Sequence, residues 1–263
     1  MHLGFSRSRL ALAPAGAHSV GIEVELENGD IPEPKRSLDM WEVKGDDSLR
    51  NGQELVTSMP VWKANLEECF AQFDTIMKSA RGTPDASWRC STHVHLDVRD
   101  MDSNQLMALM CAVALTDTVI TKAHGREGSN FCVPYRSFNP VDQAFQKYTS
   151  AGLFRFKDLG TIEFRMFKGA TNSDELRRIV DIVHAYRMVA ENPEQLLSAL
   201  KSRQYSEVFN AVQEIVRPVM YTVGPAYVEQ EIRNGFASAV AIVEFKSRLE
   251  AKLQANSLSR LEE

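Results

Sequence analysis

Three stretches far apart in the chain repeat one pattern: Val20–Glu27 (VGIEVELE), Thr92–Val98 (THVHLDV) and Thr161–Phe167 (TIEFRMF) alternate between apolar side chains and polar or ionisable ones. A strand turns successive side chains to opposite faces, so each stretch predicts a half-buried strand with one apolar and one charged face. The charged faces carry Glu23, Glu25 and Glu27 in the first, His93, His95 and Asp97 in the second, and Glu163 and Arg165 in the third.

The remaining signals are mostly helical. A further strand is expected around Gln53 to Met59, after a Gly45-Asp46-Asp47-Ser48 turn. Residues 61–79 place Trp62, Leu66, Phe70 or Cys69, Phe73 and Met77 at helical spacing. Asp102 with Gln105 forms a capping box for an apolar helix to about Lys122, and Asn172 with Glu175 forms a second. From there helices are expected over 173–190, 193–202, 205–217 and about 226–254. Tight two-residue hairpin turns and strict βαβ alternation are both missing, which favours an α+β protein with a largely antiparallel sheet and a C-terminal helical layer.

Composition narrows the function classes. Lys and Arg total 30 against 35 for Asp and Glu, and no basic run offers a phosphate-tracking stripe, so nucleic acid is not an expected partner. No run approaches the roughly 18 consecutive apolar residues of a membrane span. Cys69, Cys90, Cys111 and Cys132 are scattered without metal-ligand spacing, which suits a reducing, cytoplasmic interior. Residues 1–19, with Arg7, Arg9 and Pro14, read as an N-terminal arm rather than a leader.

Side chains two apart on a strand face stand roughly 7 Å from one another, where two carboxylates repel by about 2 kcal/mol at an effective dielectric near 20. Hard divalent cations are the usual remedy, and a histidine can complete their shell. Singly, each pair has a plainer reading: Glu23 and Glu25 as a wetted strand surface, Glu163 and Arg165 as a cross-strand ion pair. The two histidines of HVHLD are the rarer feature, divided evenly between structure and metal or substrate binding.

Taken together, GIEVELE, the DDSL and GQELVT segment, STHVHLDV, the arginine of VPYRSFNP and GTIEFRMFKG resemble, in order and approximate spacing, the motifs of the amidoligase family. That family is a branch of the glutamine synthetase and glutamate–cysteine ligase superfamily. The resemblance spans roughly residues 20–190 and leaves 191–263 as a helical extension packed on the same domain. It implies a curved antiparallel sheet whose concave face binds ATP through two or more magnesium ions, or manganese in their place. It further implies Glu23, Glu25, Glu54, His93 and Glu163 as metal ligands, with Asp46 nearby, and His95 as a contact to nucleotide or substrate. Arg136 and Arg165 resemble the arginines that neutralise the transferring phosphoryl group, with Arg126 and Lys147 as weaker candidates. The implied activity is carboxylate–amine ligation through an acyl phosphate, with small-molecule or peptide substrates and an oligomer permitted. The chain departs from glutamine synthetase in lacking a separate N-terminal β-domain before residue 20, and only Glu54 stands clearly in the second-strand region where larger relatives place two glutamates.

Two other readings compete. His93, His95 and Asp97 form a possible zinc set for a hydrolase, which leaves Glu23, Glu25, Glu163 and the arginines without a task. A non-catalytic binding or assembly protein retaining the fold is the third.

Overall fold

The computed structural model describes residues 18–34, 37–135 and 139–258. Among these residues the protein is α+β, with seven strands in an open antiparallel sheet. The strands are β1 (Val20–Asp30), β2 (Trp41–Asp46), β3 (Gly52–Thr57), β4 (Arg81–Asp85), β5 (Ser91–Asp97), β6 (Ala151–Gly152) and β7 (Thr161–Lys168). The helices are α1 (Leu66–Ser79), α2 (Ser103–Ala123), the single turns α3 (Pro140–Gln143) and α4 (Phe156–Leu159), α5 (Ser173–Glu191), α6 (Pro193–Lys201), α7 (Tyr205–Val216), a short α8 (Met220–Val223), α9 (Pro225–Glu244) and α10 (Lys246–Leu258). The chain divides into two compact units: residues up to Asp97 with Phe167–Val180, and Val98–Met166 with Asp181 onward.

In the first unit the strands run β2-β3-β1-β5, with β4 paired to the far end of β1. Ile22, Val24, Leu26, Val43, Leu55, Val94 and Leu96 fill one face and are buried, each contributing about 1.5–3 kcal/mol. Helix α1 covers this face: Trp41 meets Phe73 at 5.2 Å between ring centroids and donates its indole N–H to the Cys69 carbonyl at 3.0 Å. The Asp74 carboxylate accepts from the backbone N–H and the hydroxyl of Ser173, capping α5, and Arg177 pairs with both oxygens of Glu67.

The expectation of half-buried strands is corrected here. In β5 every residue is buried, and in β1 Glu23 and Glu27 are as enclosed as their apolar neighbours. Helix α1 begins at Leu66 rather than 61, because Val61 exchanges both backbone hydrogen bonds with Val20 and so extends the sheet. Strands β2 and β4 were passed over: Trp41 to Lys44 alternates for only four residues before Gly45, and β4 holds a glycine and a proline. Gly29 lets β4 approach, since a Cβ there would stand 2.7 Å from Pro84.

The second unit is built on α2. Its capping box is present, with Asp102 accepting from Gln105 N–H and the Gln105 side chain accepting from Asp102 N–H, both at 2.9 Å. Among the described residues this is the one helix long and apolar enough to cross a membrane, and it is buried as a core helix. Helix α9 crosses it at Gly235, where a Cβ would meet the Ala114 carbonyl at 2.2 Å. Asp117, fully buried on α2, accepts from Tyr135 N–H and from the Ser150 hydroxyl at 2.7 Å each. The helix expected over 226–254 is two helices: the ladder of α9 ends at Phe245, whose carbonyl then accepts from Arg248 and Leu249 to begin α10. At Asn172 only half the expected box forms. Asn172 accepts from Glu175 N–H at 3.0 Å, whereas the Glu175 carboxylate accepts from Thr171.

Candidate metal centre

The strand register assembles the polar face of the first unit. Glu25 lies opposite Glu54 across β1 and β3, and Glu54 lies opposite Lys44 across β3 and β2. Glu23 lies opposite His93 and Gly21 opposite His95 across β1 and β5. Directly opposed residues of an antiparallel pair share a face, so Glu23, Glu25, Glu54, His93 and His95 gather on one side of the sheet although 72 positions separate the first from the last.

Hydrogen bonds hold the cluster. The Glu25 carboxylate accepts from the backbone N–H of Ser91 at 2.8 Å and from its hydroxyl. His93 Nε2 is 2.7 Å from that hydroxyl and His93 Nδ1 is 3.2 Å from Glu23 Oε2. His93 thus bridges Glu23 and Ser91, whose hydroxyl also reaches Glu25. His95 Nε2 stands 3.2 Å from the other Glu23 oxygen. A divalent ion bound at His93 would find a carboxylate beside either nitrogen, with Glu23 3.2 Å from Nδ1 and Glu25 4.0 Å from Nε2.

The electrostatics are uneven along the face. Burial works against ionisation of Glu23, but His95 and His93 outweigh it and hold its pKa well below the usual carboxylate range. At Glu54 the balance runs the other way. Burial first, then the negative charges of Glu23, Glu25 and Asp46, push its pKa up to about 8. Glu27 is held low, chiefly by the Arg50 backbone N–H at 2.8 Å. Asp46 also receives the Ser48 N–H at 2.8 Å and shapes the β2–β3 turn. The donor set of carboxylates with one histidine fits a hard divalent cation, and the crowding at Glu54 is the charge imbalance such an ion would correct.

Of the other expected residues, Asp97 receives the Ser19 hydroxyl at 3.3 Å. In the second unit Glu163 is buried and pairs with Arg165. Arg165 also donates from Nε to the Phe131 carbonyl at 3.4 Å and lies 5.8 Å from the centre of the Tyr148 ring. Lys147 stands 5.1 Å from the same ring, and Arg126 is buried. Arg136 lies outside the described residues, as does the arm before His18.

Sequence reasoning passed over Ser91 and Lys44. Ser91 was readable, since it shares the two-residue spacing of His93 and His95; Lys44 needed the pairing of β2 with β3. No protein-family model matches this chain, and none of the curated proteins does.

Proposed function

We propose that this chain is an ATP-dependent carboxylate–amine ligase, using two or more divalent ions held by Glu23, Glu25, Glu54 and His93. The observation that carries this reading is the directly opposed pair Glu25 and Glu54, with Glu23 one step along the same face. Three carboxylates brought together under burial make a poor stability device and a good cation site. The five ordered motifs of the amidoligase resemblance supply the finer reading, including Glu163 as a further ligand and His95 as a substrate contact. Bound ions would neutralise the phosphates of ATP and stabilise the charge developing on the transferred group.

The chemistry that suits such a face is activation of an acid. A substrate carboxylate oxygen attacks the γ-phosphorus, the bond to the β-γ bridging oxygen breaks, and ADP leaves. The amine then attacks the acyl carbon, inorganic phosphate departs, and the amine loses its proton. Arg165 neutralises the phosphoryl oxygens during the first step in this reading.

Thermal stabilisation tests it. Magnesium with ATP should raise the melting temperature well beyond magnesium alone, by about 2.7 kcal/mol of stability at a hundredfold excess over Kd. A second reading has its own support, because Glu23 contacts both His93 and His95, and two histidines with a glutamate form a zinc set. Stabilisation by zinc alone, without response to nucleotide, would select that hydrolase-type site. A screen of paired acids and amines, read by ADP release, then names the substrates.

A further inference from the structure

We propose that Trp88, backed by Arg89, is a stacking shelf for the base of a nucleotide, an inference that rests on the ligase reading above. Trp88 precedes β5 and is 74% exposed, whereas Trp41 is 2% exposed. A tryptophan left in water forgoes the burial that its large apolar surface normally supplies. Its ring is not left loose. The Arg89 guanidinium lies 5.5 Å from the ring centre, and Arg89 is itself held, donating to the Ser48 carbonyl at 3.2 Å with Nε 4.0 Å from Glu27. The next residue, Cys90, is buried and accepts a backbone bond from Gly169.

The position selects the ligand. Glu27 is the third carboxylate of the row Glu23, Glu25, Glu27 on β1, so Arg89 joins the Trp88 loop to the same strand face as the candidate metal ligands. One strand repeat, roughly 7 Å, carries the row from Glu25 to Glu27, and Arg89, 4.0 Å from Glu27, ties the ring to that end of the row. The acid to be activated must sit at the metal carboxylates themselves. A group reaching past Glu27 is separated from the reacting phosphate by a sugar and the inner phosphates, which is the place of the base. Aromatic rings stack on any base, because every base has a π-face.

The test titrates Mg-ATP and Mg-tripolyphosphate against the unmodified protein, Trp88→Ala and Trp88→Phe. ATP should quench tryptophan fluorescence of the unmodified protein and tripolyphosphate should not. Trp88→Ala should raise the Kd for ATP roughly tenfold or more, leave tripolyphosphate binding within twofold, and Trp88→Phe should fall between. Equal ATP affinity in all three proteins, or an equal loss for ATP and tripolyphosphate, overturns the shelf and leaves the ligase reading standing. Failure of the unmodified protein to bind either polyphosphate overturns the ligase reading, and the shelf with it.

Discussion

Glu25 and Glu54 face each other across β1 and β3 as directly opposed partners, where a sheet ordinarily sets opposite charges or apolar groups together. Burial first, then the charges of Glu23 and Glu25, make Glu54 hold its proton more tightly in the folded protein than in the unfolded chain. Such a group stabilises the fold fully below its unfolded pKa and loses that contribution as pH rises. With metal chelated, stability should therefore fall between about pH 4.5 and pH 8. Glu54→Gln should flatten this slope and raise stability at pH 8 by on the order of 2 kcal/mol, read from thermal melts across that range. An unchanged slope would show that Glu54 is not crowded in solution.

Ser91 links His93 to Glu25, and its hydroxyl is buried with them. Ser91→Ala should cost about 1 kcal/mol of stability, the scale of one hydrogen bond. Metal affinity should fall about 10- to 100-fold, because the ligands lose the contact that orients them. Calorimetric titration with manganese measures the second effect. Affinity equal to the parent would place Ser91 outside the site's support.

Arg165 pairs with Glu163, two residues before it on β7. In the ligase reading its planar fork meets charge that appears chiefly in the transition state, so Arg165→Lys should lower turnover by two or more powers of ten while nucleotide affinity changes little. ADP release and nucleotide titration of both proteins supply the comparison. If the pair is only structural, lysine should serve nearly as well, with a stability change under about 1 kcal/mol.

Asp117 ties two segments of the second unit to α2 through Tyr135 and Ser150. Asp117→Ala should cost about 2–4 kcal/mol by stranding a buried N–H and a buried hydroxyl. Asp117→Asn, which keeps an acceptor, should cost less. Denaturant melts of the two variants check the order.

The α+β class, the strands around Glu23, His93 and Glu163 and the capping box at Asp102 were legible in the residues alone, because a two-residue period and a local cap are properties of short windows. Burial was not. Glu23 and His93 follow the pattern of a solvated strand face, and only the packing of the unit encloses them. The neighbours of each carboxylate also depended on register, which a window of sequence does not contain. The opposition of Glu25 to Glu54, the row that adds Lys44, and the link from Ser91 through His93 to Glu23 follow from how β3 and β5 slide against β1 and β2 against β3. The break of the last long helix at Phe245 was likewise invisible, since 226–254 shows helical spacing throughout and the chain interrupts it without a proline. Sequence alone determined which residues have the chemistry to bind a cation. The tertiary structure decided which of them meet, because like charges are brought together only where the burial of Ile22, Val24, Leu55 and Val94 on the opposite face outweighs their repulsion.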